Sequence, residues 1–356
     1  MLFGKRKIRA AIKARDAARL AILLNRSPRL ANVTVSALGG EEQSPLHFAA
    51  AGGSWDVESI FASMGGGFSH EHDDADLAMA RLLIEHGAIV NCADEHGQMP
   101  LHFACARGRQ ALVELLLDSG AHIDARNYDY HAPPLEYALH YGQDDVAAVL
   151  VRRGAGLTYH AGDKPRGPVI AACEAGCLLA LRAMVERGAD IKEGDSIGDL
   201  PLHWAARTGR TEIVRDLIAL GANVNAEGGY SLTPLHLAAS KGQCEVTELL
   251  LASHADVNAL SDIRQTPLHM TVGYGVVSTA RILVNKGAEV NAVDRSGVTP
   301  LHMAAAQGRS DLVSLLIEAG AHVNVANAKG DTPAKWAHDK QFSDVVALLQ
   351  SHGGCL

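Results

Sequence analysis

Histidine and cysteine are the residues of this sequence best suited to bind a metal or act in catalysis, and it contains 18 and 6 of them. Six histidines occur in one recurring phrase, Pro-Leu-His. Where successive phrases open helices packed side by side, the helix axes lie about 8–10 Å apart. Two ligands of one zinc ion each lie about 2 Å from the metal. Neighbouring phrase histidines therefore cannot share a metal, and we expect them to hydrogen-bond to backbone groups: His47, His102, His203, His236, His269 and His302.

The other reactive groups also lack a spacing that indicates chemistry. The cysteines are scattered without a C-x-x-C pair, which is typical of reduced thiols in the cytosol or nucleus. Segment 70–74 reads His-Glu-His-Asp-Asp, but it fits no common zinc signature and is better interpreted as a solvated acidic loop. The sequence contains no phosphate-binding glycine loop, G-x-S-x-G or H-E-x-x-H motif. It therefore predicts no enzyme activity, no cofactor and no metal site.

Nine prolines show that the chain is built from an internal repeat. The gaps between them are 55 residues, then 34 twice, then 33 five times. Glycine stands eight residues after the proline in eight of the nine units, where Gln341 is the exception. Glycine also stands twenty residues after it in eight of the nine, where His254 is the exception. The prolines are Pro45, Pro100, Pro134, Pro168, Pro201, Pro234, Pro267, Pro300 and Pro333.

The unit that begins at Thr299 shows what this pattern builds. Threonine can cap a helix, and proline suits the first helical position, where its missing N–H costs nothing. Two amphipathic helices are predicted, each ended by a glycine. One unit cannot bury its apolar stripes alone, so the units must stack. The stripes consist of Leu301, Ala304 and Ala305, then Leu312, Leu315 and Leu316.

The phrases Thr-Pro-Leu-His-x-Ala-Ala, Gly-Ala-x-Val-Asn and Asp-x-x-Gly, in a 33-residue period, resemble the ankyrin repeat over about residues 41–353. The resemblance implies an all-α fold, an α-solenoid of about ten stacked helix-turn-helix units with β-hairpin links. Residues 1–40 are predicted to form a basic N-terminal arm and capping helix pair, and 41–98 the first unit. Seven units follow in 99–331, of which two diverge at about 127–193, and 332–356 form a C-terminal capping unit and tail.

The 55-residue gap contains 22 additional residues. Two stretches compete to be the second helix of this unit, residues 54–64 and residues 76–86. Because the second leads directly into the consensus link ending at Asn91, we assign it as the native helix. The first stretch, with a hinge of three glycines at 65–67, is then the insertion. Such a segment is interpreted as a tolerated loop or as a partner-specific contact.

Tyrosine is concentrated in the two divergent units, and it is a residue favoured at binding hot spots. Five of the seven occur there: Tyr128, Tyr130, Tyr137, Tyr141 and Tyr159. Helical phase puts positions 3, 6 and 7 after the proline opposite the core face, on the surface that the resemblance makes a concave groove. Large residues at position 3 serve partly in packing between units, and the rest predict an aromatic groove rimmed by charge. We expect a protein partner to contact Phe103, Arg107, Tyr128, Tyr130, Tyr137, His140, Tyr141, Trp204, Arg207 and Tyr274.

The charge distribution bears on the class of partner. The formal net charge is −8 and the pI is about 6.1, which argues against a general nucleic-acid binder. The first 29 residues nevertheless contain nine Lys or Arg and one acid, Asp16. They are either the solvated face of the capping helices or, through Lys5–Lys7 and Arg9, a nuclear import signal or a contact to nucleic acid or an anionic membrane. No apolar run reaches the length of a membrane span. We expect a monomeric, cytoplasmic or alternatively nuclear, non-catalytic scaffold.

Overall fold

The computed structural model describes residues 2–36, 42–51, 73–158 and 166–356. It consists of two compact units, Met1–Ala189 and Asp190–Leu356. Within each, short helices occur in pairs joined by turns, so the predicted all-α repeat fold is confirmed.

The first compact unit opens with the predicted helix pair, followed by a 3-10 turn and one pair of antiparallel strands. Four helix pairs come next in the described part of this unit. The elements are α1 (Leu2–Lys13), α2 (Ala17–Arg26), the turn Pro28–Asn32, β1 (Val35–Ser36), β2 (Glu42–Gln43), α3 (Pro45–Ala51), α4 (Asp73–Glu85), α5 (Pro100–Ala106), α6 (Gln110–Asp118), α7 (Pro134–His140), α8 (Asp144–Arg152), α9 (Pro168–Ala175) and α10 (Leu178–Glu186).

The second compact unit contains five helix pairs, with a 3-10 turn at Gly229–Ser231. The helices are α11 (Pro201–Thr208), α12 (Thr211–Ala219), α13 (Pro234–Ser240), α14 (Cys244–Ala252), α15 (Pro267–Gly273), α16 (Val277–Asn285), α17 (Pro300–Ala306), α18 (Ser310–Glu318), α19 (Pro333–Asp339) and α20 (Ser343–Ser351).

Within each compact unit the first helix of a pair packs against the second helix of its own pair and against the first helix of the next pair. Small side chains make the close approach possible. In the pair α17 and α18, Leu301, Ala304 and Ala305 are buried, as are Leu312 and Leu316. The apolar stripes predicted from the sequence are therefore the core between neighbouring repeats.

The repeat's backbone geometry persists where its glycines are replaced. The residues that follow the paired helices adopt the left-handed conformation, as at Gly320 with φ of 89°. His254 and Gln341 occupy the two positions where the sequence departs from glycine, and their φ angles are 67° and 64°. A residue with a Cβ pays roughly 1–2 kcal/mol for this conformation. Stacking of the repeats thus dictates the backbone there, against local preference.

The links form short hairpins. Among the described links, only the one at β1 and β2 has paired strands. Elsewhere backbone bonds close the tip, as from the N–H of Asp294 to the carbonyl of Val298 at 2.9 Å and from the N–H of Gly297 to the carbonyl of Asp294 at 3.0 Å. Neighbouring tips are joined by bonds such as that from the N–H of Arg295 to the carbonyl of Ile263, at 3.0 Å. The implied β-hairpin links are therefore tight turns with ladder-like bonds between them.

The helix α4 (Asp73–Glu85) corresponds to the stretch assigned from sequence as the native second helix of its repeat. The competing stretch 54–64, the glycines at 65–67 and residues 70–72 lie outside the described residues, as do Tyr159, Lys164 and Pro165. His47 Nε2 lies 3.0 Å from the carbonyl oxygen of Gln98, 51 residues away. His302 reaches the equivalent carbonyl, at Asp331, 29 residues away. The difference of 22 residues leaves the contact between neighbouring repeats unchanged.

Candidate protein-interaction surfaces

The six phrase histidines are structural bridges between repeats. In His236, Nδ1 accepts the backbone N–H of Thr233 at 3.1 Å, so Nε2 carries the proton and donates to the carbonyl of Gln265 at 3.0 Å. Burial lowers the pKa of His236 to about 4, and it does the same for His47 and His102. The neutral ring is the form that can make both bonds. The predicted hydrogen bonds to backbone groups are thus observed, and both nitrogens of each ring are engaged in them.

Several large residues at position 3 after the proline pack on the phrase histidine of the preceding repeat. The ring of Phe103 meets that of His47 edge-on at 5.6 Å, and Tyr137 meets His102 at 5.2 Å. Phe103 is only 3% exposed, so it cannot be a main contact for a partner. Tyr137 is half-buried, and its hydroxyl accepts a hydrogen bond from Asn127 Nδ2 at 3.2 Å. The large residues at position 3 therefore contribute to packing between repeats more than to a binding groove.

Among the described residues of the first compact unit, Tyr128 and Tyr130 are exposed tyrosines. They lie at one link tip, with 64% and 60% of their surfaces exposed. The N–H of Tyr128 bonds to the carbonyl of His96 at 2.8 Å, which joins this tip to the preceding one. The Tyr128 ring also covers Gly97, where an added Cβ would lie 2.6 Å from the ring. The tip thus holds Tyr128 in place while leaving most of its ring accessible.

Arg107, His140 and Tyr141 form a second cluster of predicted contact residues in the first compact unit. The rings of His140 and Tyr141 meet edge-on at 5.0 Å. Burial is the largest influence on Arg107 and lowers the pKa of its guanidinium, while the nearby Tyr141 acts in the opposite sense. Burial likewise raises the pKa of the Tyr141 hydroxyl, so this ring stays neutral. His140 is exposed and the other two are half-buried.

In the second compact unit, two exposed cations lie over aromatic rings. The Arg207 guanidinium lies 5.3 Å from the centre of the Trp204 ring, and the Lys241 ammonium 5.3 Å from that of Tyr274. Trp204 is half-buried and its indole N–H donates to Asp195 at 3.0 Å. Tyr274 is 62% exposed. The predicted residues therefore form separate groups on the two compact units.

A row of exposed apolar residues, four positions before the proline, is not among the residues predicted from the sequence. Ile197, Tyr230 and Ile263 occupy successive link tips in the second compact unit and are 55%, 73% and 45% exposed. Other links have Ser296 or Lys329 at this position. A comparison of this one tip position along successive repeats reveals these apolar residues in the sequence.

A buried ion cluster in the first compact unit was also missed. Asp76 is fully buried and accepts bonds from Arg15 Nε at 3.1 Å and Arg109 Nη1 at 2.8 Å. Arg109 also pairs with Asp73 at 3.3 Å and is itself buried. The cluster joins the capping pair, the start of α4 and the turn before α6. Asp76 lies in register with the buried Met79, Ala80 and Leu83 of α4, and an acid on an apolar stripe was the available signal.

Asparagine side chains clamp one link to the next. Asn291 Nδ2 donates to the carbonyl of Gly320 at 3.0 Å, while its Oδ1 accepts the N–H of His322 at 2.8 Å. Just before the divergent repeats Asp124 takes this place, and its carboxylate accepts the N–H of Gly156 at 2.8 Å. An amide can both donate and accept, whereas a carboxylate only accepts. The same bridges occur at Asn91, Asn225, Asn258 and Asn324.

The described residues also bear on catalytic and membrane roles. No group of three or more metal-ligating side chains is found within them, and none of their helices combines the length and apolarity needed to cross a bilayer. Cys105 and Cys173 are buried in the core, where burial raises the pKa of each thiol. A protonated, enclosed thiol is a poor nucleophile, which agrees with a packing role.

Known proteins show the same repeats. The B-cell lymphoma 3 protein homolog of Mus musculus is 30% identical over 141 residues, which cover 38% of this chain and 31% of that protein. The transient receptor potential channel pyrexia of Drosophila melanogaster is 34% identical over 128 residues, 36% of this chain and 13% of the channel. The E3 ubiquitin-protein ligase KEG of Arabidopsis thaliana is 31% identical over 127 residues, 35% of this chain and 8% of the ligase. The chain thus spans less than a third of each relative.

A family profile described as "Ankyrin repeats (3 copies)" matches residues 8–127, 72–160, 135–228, 169–261, 235–327 and 268–355. Together the matches extend over both compact units and include the divergent repeats. Since they cover nearly the whole chain, this protein belongs to the ankyrin-repeat family.

Proposed function

We propose that this protein is a non-catalytic scaffold or adaptor that binds a protein partner through its link tips and the exposed residues of its first helices. Ankyrin repeats generally mediate protein–protein interaction and are generally non-enzymatic. A cytoplasmic or nuclear location and a monomeric state belong to the same proposal. The proposed location agrees with the free cysteines, because disulfides are rare in cytosolic and nuclear proteins.

The exposed pair Tyr128 and Tyr130 carries this proposal. Tyrosine offers a large contact area with few rotatable bonds, and hot spots are enriched in it. Both rings are more than half exposed at a tip anchored by backbone bonds, so little entropy would be lost on binding. Phe103 and Tyr137 instead contribute to packing between repeats, because their rings lie against phrase histidines.

Affinity purification from the native host, followed by quantitative mass spectrometry, tests the proposal. The full chain serves as bait beside a variant with Tyr128→Ser and Tyr130→Ser. We expect a specific protein in the first eluate and at least a roughly tenfold loss of it with the variant, as for hot-spot residues.

A matched control has Ile22→Ser and Leu179→Ser, two exposed apolar residues of α2 and α10 that are 55% and 39% exposed. This variant should recover the partner as the unmodified chain does. Equal recovery by the tyrosine variant, with folding intact by circular dichroism, would remove the tyrosine tip from the proposal. No specific partner for any bait would contradict the scaffold function itself.

A second candidate function is binding of nucleic acid or an anionic membrane through α1. It is favoured by Arg6, Lys7 and Lys13, which are exposed on a helix without an acidic residue. Ile8 and Ile12 of the same helix are buried, so the arm cannot be deleted without damaging the core. Replacing the three cations by alanine should abolish binding to duplex DNA, RNA or acidic vesicles at low salt. Absence of such binding by the unmodified chain excludes this function.

A further inference from the structure

The first helices of four successive repeats in the second compact unit differ in charge from the second helices. The sequences of α11, α13, α15 and α17 contain no Asp or Glu. Three of the four second helices contain two acids each: Glu212 and Asp216 in α12, Glu245 and Glu248 in α14, Asp311 and Glu318 in α18. The protein is acidic overall, but the layer formed by these first helices has positive exposed charges.

Arg207 and Lys241 are the cations of this layer, and each is held by an aromatic ring. Both side chains are exposed, and within residues 190–356 neither has an acidic partner. Contact with Trp204 and Tyr274 leaves the outward N–H groups available to an incoming acceptor. The four residues, with the half-buried Met270 one turn before Tyr274, are called the cationic-aromatic surface.

Asp195 contacts this surface, but both of its carboxylate oxygens already accept hydrogen bonds from the protein. Asp195 accepts the indole N–H of Trp204 through one oxygen. Its other oxygen accepts the backbone N–H groups of Ile197 and Asp199, at 3.0 and 2.9 Å. It therefore orients the Trp204 ring rather than neutralising Arg207.

We propose that the cationic-aromatic surface binds an acidic peptide segment of a protein partner in extended conformation. This inference rests on the proposed scaffold function and names the chemistry of one partner segment. Carboxylates of the peptide pair with Arg207 and Lys241, and its apolar side chains cover Trp204, Met270 and Tyr274. Charge complementarity favours this occupant, because basic or neutral segments would leave both cations unpaired.

The repeat spacing also specifies the register of the peptide. Arg207 and Lys241 belong to the neighbouring helix pairs of α11 and α13, whose packed axes would lie about 8–10 Å apart. In the extended polyproline II conformation a chain rises about 3.1 Å per residue and turns once every three residues, so carboxylates three residues apart lie on one face and match that distance. The surface should therefore prefer Glu at every third position to the same residues in scrambled order.

Fluorescence anisotropy with the full chain tests this inference. The probe is a labelled peptide of about 12 residues, long enough to cross four helices when extended, with Glu at every third position and Leu and Ser between. We expect saturable binding that weakens with added salt. The double variant Arg207→Glu, Lys241→Glu should weaken it at least about tenfold, because like charges would then face each other.

The control variant Arg215→Glu, Arg281→Glu makes the same change in net charge on the exposed faces of α12 and α16. Its affinity should equal that of the unmodified chain, and thermal melts of both variants report folding. The inference is overturned if the peptide does not bind, if both variants weaken it equally, or if duplex DNA binds at least as tightly. Partner recovery that depends on Tyr128 and Tyr130 but not on these cations would sink the inference and leave the scaffold function standing.

Discussion

Four successive repeats of the second compact unit each bury a phrase histidine, whereas two of the four first helices α3 to α9 in the first compact unit contain none. Glu136 and Ile170 replace it there. The second unit also continues its asparagine clamps through Asn324, while Asp124 stands at the clamp position just before the divergent repeats, and Thr158 and Lys192 at those within them. In exchange, the first unit has the buried ion cluster around Asp76.

The difference teaches how a repeat protein separates stability from specificity. Where every repeat makes the same bridges, one repeat can replace another in the stack. Where the bridges are lost, individual side chains must hold the repeats, and the positions released from bridging accept other residues. The tyrosine-rich link, with Tyr128 and Tyr130 exposed, lies at the border of that region: His102 still bonds to carbonyls of this link, but the first helix that follows it has Glu136 in place of the histidine.

Acidification gives the largest expected effect on this comparison. Burial lowers the pKa of His236 from its ordinary value of 6.5 to about 4, so the folded state favours the neutral ring. The free energy of unfolding that His236 contributes in this way is fully present above pH 6.5 and is lost as the pH falls toward 4. A step from pH 7 to pH 5 should cost about 2 kcal/mol for each histidine of this kind, and the losses from the several phrase histidines of the chain add to the largest total.

Hydrogen exchange at several pH values, corrected for intrinsic rates, measures this effect region by region. Protection should fall most in α11 to α18 and least in α7 to α10, whose first helices have no phrase histidine. An equal loss of protection in all of these helices would contradict the expected dependence of acid sensitivity on the phrase histidines.

Asp76→Ala gives the next largest effect and acts on the first compact unit. The substitution leaves the buried Arg109 guanidinium without its main partner, which should cost about 3–5 kcal/mol. Asp311→Ala in the second unit removes an exposed pair with Arg309 and should cost less than about 1 kcal/mol. Urea unfolding compares the two. Similar losses would mean that the ion cluster does not replace the missing bridges.

An exchange of amide and carboxylate in the clamps gives the smallest effect. Asn291→Asp removes the bond donated to Gly320 and should cost about 1–2 kcal/mol. The reverse change, Asp124→Asn in the first unit, supplies a donor to a divergent link and should gain up to about 1 kcal/mol. Thermal unfolding of both variants gives the signs. Two losses would show that Asp124 has a role of its own.

The fold was predictable because its signals are local and repeated. Proline at the first helical position and glycine after each helix recur with a fixed period, so an exception such as Gln341 does not obscure the pattern. The helix α4 was identified correctly for the same reason, since a consensus link follows it.

The candidate site was less predictable because exposure depends on neighbouring repeats. Helical phase put Phe103 and Tyr137 on an open face, but the preceding repeat's histidine lies against each ring. The cluster of Arg15, Asp76 and Arg109 joins residues 61 and 33 positions apart, for which no short motif exists. The position of Asp76 on an apolar stripe was its only trace in the sequence.

The asparagine clamp has a consequence for how such a gene can change in length. Each of the five asparagines Asn91, Asn225, Asn258, Asn291 and Asn324 donates to a carbonyl 29 residues ahead and accepts an N–H 31 residues ahead. A tandem duplication or deletion of 33 codons preserves both offsets wherever in the period it begins. Evolution can therefore add or remove a repeat in one genetic step, without an intermediate in which the clamped backbone groups have lost their partners.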